Sequence, residues 1–194
     1  LPNAINMMLD QADCGPATIS ISQDVQGESF DYPEIFFQEK IHEIRRISPD
    51  AVQIKKAVDL IKNSKQPIII SGGGVLYSEA EKELSNFASK HNIPVVQTVM
   101  GFGSMLKDDP YNIGPVGGLG GRAANNIAKK TDLAIAIGTK LGDFTTGSWA
   151  NFENPNFKLI CLNATRFDST KHMAQPVVSD AKVGIKKISE YLGN

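Results

Sequence analysis

Cysteine is scarce in this chain of 194 residues, where Cys14 and Cys161 are the only two. They lie far apart, form no C-x-x-C motif and have no histidine nearby, which excludes a disulfide framework and the usual zinc sites. Cys161 falls in the apolar run KLICLNA and is interpreted as a buried thiol that packs like a small hydrophobic side chain. The histidines are scattered without metal-ligand spacing, so no metal site is predicted in this chain.

Long apolar runs and an excess of one charge are absent as well. No stretch approaches the roughly 18 apolar residues that cross a bilayer, and no signal-peptide core is present. With 20 basic against 21 acidic residues, the net charge is −1, and the sequence carries no basic stripe. These features exclude nucleic acid and anionic membranes as partners and predict a cytoplasmic protein.

Helical and strand patterns alternate from Ser48 onward. Ser48 is interpreted as an N-cap with Pro49 in the first helical position, and Ser78 with Glu81 as the capping box of a second helix. This alternation predicts an α/β fold of the Rossmann-like kind, a parallel sheet with helices on both faces. Strands are predicted at 68–70, 93–98, 132–139 and 157–163, an extended piece at 175–180, and further helices at 122–130 and 181–192.

The first 47 residues show no such order. They predict a helix, a break at Cys14-Gly15-Pro16, a strand from Ala17 to Ser22, and then a connecting segment. Tyr32, Phe36 and Phe37 are predicted to be the apolar anchors of that segment. The chain begins LPNAINMML, inside a helical pattern and without an initiator methionine, so it is expected to be a piece of a longer polypeptide.

The stretch PIIISGGGVLYSEA leads an apolar strand into three consecutive glycines, which could hold phosphates or only shape a turn. A dinucleotide fingerprint needs G-x-G-x-x-G and an acidic residue about 20 positions further on. Here Tyr77 replaces the third glycine, and the second strand ends at Gln97-Thr98 without a carboxylate. Both departures argue against NAD and favour a geometric role for the glycines over phosphate binding.

Segments in a characteristic order run along the chain, namely GPATISISQDVQ, PIIISGGGVLYSEA, IPVVQTVMGFGSM, GPVGGLGGRAAN and DLAIAIGTKLGDFTTGSW. Together they resemble thiamine-diphosphate enzymes of the acetohydroxyacid synthase and pyruvate oxidase group, over nearly the whole chain. Within that group, LGDFTTGSW and FDSTKHMAQPVVSDA are most similar to the trihydroxycyclohexanedione hydrolases, which open a ring by C–C cleavage in myo-inositol catabolism.

The resemblance implies that the chain consists of three parts and that the cofactor binds elsewhere in the parent protein. Residues 1–24 would be the C-terminal tail of a pyrimidine-binding domain, 25–47 a linker, and 48–194 the central Rossmann-like domain. The resemblance places thiamine diphosphate and Mg²⁺ in the full-length parent, outside this fragment, so no catalytic residue is expected here and the fragment should be inactive alone. The implied partners are the flanking thiamine-binding domains, in a parent that is a homo-oligomer.

In flavin-binding members of the group, the central domain holds FAD through loops. The histidine of their G-M-H-G motif corresponds to Leu119 here, and the two arginines of their G-x-R-F-D-D-R motif correspond to Lys140 and Phe144. FAD is therefore not expected, and the positions are predicted to be a vestigial flavin-type site. The loops that correspond to those of the flavin-binding members are Gly72 to Gly74, Thr98, Met100-Gly101, Gly117 to Gly121 and Gly138 to Thr146. Within them, the candidate cofactor-binding residues are Gly72, Gly73, Gly74, Gly101, Gly138 and Asp143.

Two other functions stay open at this point. The parent could catalyse an acetolactate-synthase-like carboligation, or the chain could be a free-standing nucleotide- or FAD-binding module. The incomplete dinucleotide motif argues against the module. The loop Asp143 to Trp149 would either reach the active site of the parent or lie in solvent.

Overall fold

Residues 1–193 are described by a computed structural model, whose contacts divide the chain into two compact units, residues 1–45 and a second unit that begins at Arg46. In the first unit, helix α1 spans Pro2–Leu9, and 3-10 turns span Val25–Gly27 and Glu34–Phe37. The predicted strand from Ala17 to Ser22 is wrong, because these exposed residues pair with no strand of the described chain. Without a neighbouring strand, their backbone groups gain nothing from an extended ladder.

Aromatic side chains of the first unit pack on one another. The ring centroid of Tyr32 lies 4.8 Å from that of Phe36 and 6.2 Å from that of Phe37. All three side chains remain more than half exposed, and no residue from 1 to 45 is buried. The predicted anchors therefore form a surface cluster within this unit and do not fill a core of their own.

The second unit contains a six-stranded parallel sheet, which confirms the predicted α/β fold. Its strands are β1 (Pro67–Ser71), β2 (Val95–Gln97), β3 (Asn112–Pro115), β4 (Leu133–Ile137), β5 (Lys158–Asn163) and β6 (Gln175–Val178). Their order across the sheet is β3-β2-β1-β4-β5-β6. The direction of winding therefore reverses between the neighbouring strands β1 and β4.

Successive side chains along each strand point to opposite faces of the sheet, and each face carries its own hydrophobic core. In β1, the side chain of Ile69 joins one core, and those of Ile68 and Ile70 join the other. Burial on both faces explains why this strand is apolar without interruption. The first core lies under α2 (Ala51–Asn63), α4 (Glu81–His91) and α8 (Ala181–Leu192), and the second lies under α5 (Arg122–Lys130) and the residues that precede β5.

The start of α2 differs from the sequence prediction. Its N-cap is Asp50, whose carboxylate accepts the backbone N–H groups of Val52 and Gln53. Ser48 and Pro49 therefore lie outside the helix. A carboxylate at this position accepts a hydrogen bond as a serine would and also complements the positive end of the helix dipole.

The predicted capping box of α4 is also wrong. The N-cap of this helix is Ala80, which makes no side-chain cap. Ser78 instead ends α3 (Gly73–Tyr77), a short helix that begins within the glycine run itself. The Ser78 hydroxyl oxygen accepts the N–H of Ala181 at 3.3 Å, so a residue of suitable type for a cap serves a tertiary contact.

Some short elements leave no pattern in the sequence. Gly114 and Pro115 are the last two residues of β3, which lies at the edge of the sheet, where proline is tolerated. The helices α6 (Asp143–Thr146) and α7 (Arg166–Thr170) are too short to show a helical period. Among the described residues, no helix combines the length and apolar character needed to cross a membrane.

Candidate functional site

The carboxyl ends of β1 and β4 lie where the strand order reverses. In open α/β sheets, ligands bind in the crevice outside the carboxyl ends of the strands at such a point. The candidate residues from the sequence are all found at this edge: Gly72, Gly73 and Gly74 follow β1, Gly101 follows β2, and Gly138 and Asp143 follow β4.

Four of these glycines make close backbone contacts with the neighbouring strand ends. A Cβ atom added at Gly72 would lie 2.4 Å from the carbonyl oxygen of Gly138, and one added at Gly74 would lie 2.6 Å from the Cα atom of Gly138. One added at Gly101 would lie 2.1 Å from the carbonyl oxygen of Ser71. Any side chain at these positions would force the backbone apart, so glycine is required there for packing.

The N–H groups of the glycine loop are largely engaged by the protein. The N–H of Gly72 donates to the carbonyl of Ile137, and the N–H of Gly74 donates to the carbonyl of Gly138, each at 2.9 Å. A phosphate cradle needs such N–H groups to point at the ligand. Here they hold the end of β1 to the end of β4.

The side chains at the end of β2 and directly after it form hydrogen bonds with the turn that follows. The Gln97 side chain is buried and donates to the carbonyl of Met105 at 3.3 Å. The Thr98 hydroxyl oxygen accepts the N–H of Gly101 at 3.0 Å. Neither side chain can replace the carboxylate that holds a ribose in dinucleotide-binding relatives of this fold.

A buried pair of serines fastens this turn to β1, and the sequence analysis missed it. The hydroxyl groups of Ser71 and Ser104 share a hydrogen bond of 2.6 Å, and both residues are fully buried. A serine at the end of an otherwise apolar strand is the only signal that the sequence offers for it. The bond stabilises the loop between β2 and β3 at the point where strand order reverses.

Asp143 lies in a different part of the same edge. It begins α6, and its carboxylate accepts a hydrogen bond from the Ser148 hydroxyl at 2.9 Å. The carbonyl of Phe144 accepts the N–H of Gly118 at 2.8 Å, which joins this loop to the one after β3. The Asp143 carboxylate is thus engaged within its own loop.

Trp149, at the end of that loop, packs inward. It is half-buried, and its ring centroid lies 4.7 Å from that of His172 and 5.7 Å from that of Phe152. Phe144, near the start of the same loop, is 76% exposed. The loop therefore has a packed end and a free end.

The thiol of Cys161 is buried within β5. Burial, together with a smaller contribution from the charge of Asp168, raises the pKa of the Cys161 thiol to about 12. This cysteine is therefore a neutral thiol at physiological pH, as its sequence context predicts. The residues from 1 to 193 include no group of three His, Cys, Asp or Glu side chains that could hold a metal ion.

Two open clefts, of about 670 and 620 Å³, lie at the opposite edge of the sheet. They share Leu60, Phe157 and Lys158 in their linings. Because ligands of this fold class bind at the carboxyl ends of strands, these amino-end clefts are not assigned to the site.

Comparison with known proteins identifies what the chain is similar to. The family model described as "Thiamine pyrophosphate enzyme, central domain" matches residues 54–188. Proteins named 3D-(3,5/4)-trihydroxycyclohexane-1,2-dione hydrolase from Clostridium perfringens and Geobacillus thermodenitrificans are 44% and 42% identical over 192 residues, which is 98% and 99% of this chain. The chain spans about 30% of the length of these curated relatives.

A solved structure shares the fold. It is an X-ray structure described as that of a thiamin diphosphate-dependent enzyme from Mycobacterium smegmatis, with a TM-score of 0.62 and 18% sequence identity. The match covers 79% of this chain and 30% of that chain. At this identity the likeness shows the fold alone.

Proposed function

The chain belongs to the family of thiamine pyrophosphate enzymes as a central domain, and on that premise we propose that its parent opens the ring of a trihydroxycyclohexanedione by hydrolytic C–C cleavage. The observation that carries this proposal is the identity of 42–44% to hydrolases of that name over nearly the whole chain. The contact between Trp149 and His172 supports it too, because it joins the two segments that resemble those hydrolases most.

Thiamine diphosphate and Mg²⁺ belong to the parent in this proposal, and they bind outside residues 1–194. The donor set of the described chain does not fit them. Residues 1–193 contain no metal-ligating cluster. The N–H groups of Gly72 and Gly74 donate to the carbonyls of Ile137 and Gly138 and are not free to hold a diphosphate. In this proposal the ligands of the cofactor and the reacting groups come from the other domains of the parent.

The proposed role of the domain is to hold the flanking thiamine-binding domains of the parent at a fixed spacing. A parallel sheet with two buried faces and loops fastened by backbone contacts is suited to that task. In this proposal residues 1–24 end the pyrimidine-binding domain, 25–47 link the domains, and 48–194 form the central domain. The division of contacts after Arg45 supports a boundary in this part of the chain.

The test uses the full-length parent. After removal and re-addition of thiamine diphosphate and Mg²⁺, we expect cofactor-dependent hydrolysis of the cyclic diketone and no condensation of pyruvate. Residues 1–194 alone should give no turnover under the same conditions. Condensation of pyruvate to acetolactate with no diketone hydrolysis would favour the carboligase instead, and diketone hydrolysis without the cofactor would contradict the proposal.

From the family resemblance, we also propose that the parent is a homo-oligomer and lies in the cytoplasm. Light scattering of the purified parent would measure its mass, and cell fractionation would locate it. A monomeric mass across the concentration range of the assay would contradict the first of these expectations.

A further inference from the structure

Six large apolar side chains protrude from the loops at the carboxyl edge of the sheet, and they are named here the apolar rim. Each is between 58% and 82% exposed. They come from the helix after β1, the turn after β2, and the loops after β3 and β4. The apolar rim consists of Tyr77, Val99, Met100, Phe102, Leu119 and Phe144.

Contacts bring the loops of the apolar rim together. A Cβ atom added at Gly73 would lie 3.4 Å from the Cβ of Met100 and 3.6 Å from Cε2 of Tyr77, so both side chains flank this glycine. At the other end, the hydrogen bond from Gly118 to the carbonyl of Phe144 holds the loop that carries Leu119 against α6. Clustered apolar exposure of this kind marks interaction surfaces of soluble proteins.

Other large exposed apolar residues of the second unit are spread over several elements. They lie on separate elements or turns: Val52 in α2, Leu106 beyond the turn after β2, Phe167 in α7, Met173 before β6 and Tyr191 in α8. Single exposed apolar residues are common on protein surfaces. The apolar rim differs from them because contacts link the loops that carry its members.

The chemistry of the edge favours a protein surface over a nucleotide. The N–H groups of Gly72, Gly74, Gly101 and Gly118 are used within the chain, and the members of the apolar rim are uncharged. A nucleotide at this edge could not use these four N–H groups for its phosphates and would leave several large apolar side chains in water.

We propose that the apolar rim is buried against an apolar surface of another domain of the same parent polypeptide. This inference rests on the proposed function only in taking the chain as one domain of a larger enzyme. The chain spans about 30% of the curated relatives, so the greater part of their length is left to supply that surface. Domains of one chain are held at high effective concentration, which allows a small apolar contact to persist.

Methionine oxidation tests the inference without an activity assay. Met100 is 68% exposed, Met173 is 100% exposed and Met105 is 4% exposed. In residues 1–194 treated with hydrogen peroxide, Met100 and Met173 should form sulfoxide readily and Met105 slowly. In the full-length parent, we expect Met100 to be oxidised about tenfold more slowly than in residues 1–194 and independently of protein concentration.

Matched variants give a second measurement. Phe144→Ser in the apolar rim and Met173→Ser outside it both replace an exposed side chain, so both should leave the Tm of residues 1–194 nearly unchanged. In the parent, Phe144→Ser should lower the Tm by several degrees and restore the oxidation of Met100, and Met173→Ser should do neither.

The outcomes separate this inference from the proposed function. Unchanged oxidation of Met100 in the parent overturns the inference, whatever the diketone assay gives. Protection that vanishes on dilution assigns the surface to a second copy, and protection that vanishes when a small molecule is removed assigns it to a ligand, so either result overturns the proposed occupant. Concentration-independent protection in a parent that lacks hydrolase activity would support the inference and reject only the proposed reaction.

Discussion

Asn125 and Gly117 are joined by a reciprocal pair of hydrogen bonds across the carboxyl edge of the sheet. The N–H of Gly117 donates to Oδ1 of Asn125 at 2.9 Å, and Nδ2 of Asn125 donates back to the carbonyl of Gly117 at 3.0 Å. The asparagine thereby satisfies both backbone groups of a residue with φ of +104°. One side chain of α5 thus fixes the loop after β3.

Replacement of this asparagine should release the loop. Asn125→Asp keeps an acceptor for the N–H of Gly117 but places a carboxylate oxygen against the carbonyl, and we expect a loss of about 1–3 kcal/mol in the free energy of unfolding. Urea denaturation of residues 1–194 would measure it. Asn126→Asp, at the exposed neighbouring position, is the matched control, and equal losses for the two variants would contradict the role of Asn125.

The contact between Gly72 and Gly138 predicts a steric penalty. Gly72→Ala places a Cβ 2.4 Å from the carbonyl oxygen of Gly138, a backbone atom, and should cost about 2–3 kcal/mol of unfolding free energy. Gly118→Ala is the control, because its Cβ would meet only an ordinary contact of 3.8 Å with the carbonyl of Phe144. A Gly72→Ala variant as stable as Gly118→Ala would show that the loop can relax around the new methyl group.

Flavin binding should be weak. In titrations of FAD fluorescence with residues 1–194, we expect no saturable quenching at micromolar protein. The reason is that Lys140 lacks the planar bidentate fork of an arginine, Phe144 carries no charge, and the N–H groups of Gly72 and Gly74 are already engaged. A flavin-binding relative is the positive control. A tight stoichiometric complex would refute the vestigial site.

The hydrogen bonds of Asp132 should make the free energy of unfolding depend on pH. Burial by itself would raise the pKa of this carboxyl, but hydrogen bonds from Ser64 and from the N–H groups of Lys65 and Gln66 lower it below its usual range. A pKa that is lower in the folded state gives stability above the unfolded value of about 3.9, and this stability is lost as the pH falls through the folded value.

The corresponding variant is Asp132→Asn. We expect it to lower the unfolding free energy by about 1–2 kcal/mol at pH 7, and the difference from the unchanged chain should shrink as the pH is lowered from about 4 to 2. Urea denaturation at several pH values measures both. Asp59→Asn, on the exposed side of α2, should show no such narrowing. A difference that is constant with pH would rule out the charge of Asp132 as its cause.

Loss of the Arg46 guanidinium should destabilise the fold, because this group neutralises the buried carboxylate of Asp180. Its guanidinium donates to Oδ2 of Asp180 at 2.9 Å and to the carbonyl of Ser78 at 2.8 Å, and the Asp180 side chain is 0% exposed. Arg46→Met should therefore cost about 2–3 kcal/mol, somewhat less than for a fully buried pair because the arginine is partly exposed.

Adding Asp180→Asn to Arg46→Met should recover part of that loss, because the buried negative charge is removed while a side chain able to cap α8 is kept. Thermal unfolding of the single and double variants measures the recovery. Arg45→Met, at an exposed neighbouring position, is the control. Equal effects of Arg45→Met and Arg46→Met would contradict the ion pair.

The fold was predictable where its signal is local. The apolar run at Ile68 to Ile70 indicates a strand covered on both faces, because such a strand buries every side chain. The helix predicted at 122–130 matches α5, Arg122–Lys130. The strand predicted from Ala17 to Ser22 failed for a different reason. A strand pattern without a partner strand has no ladder to join.

The sequence by itself determined the α/β class, the family to which the chain belongs and the glycine positions at the strand ends. Only the tertiary structure decided which groups those glycines meet. The N–H of Gly72 reaches the carbonyl of Ile137, Ser71 reaches Ser104, and Asn125 reaches Gly117, although the chain between the members of each pair shows no pattern that would foretell it. Such partners are chosen by the order of the strands, and that order follows from how all the elements pack together.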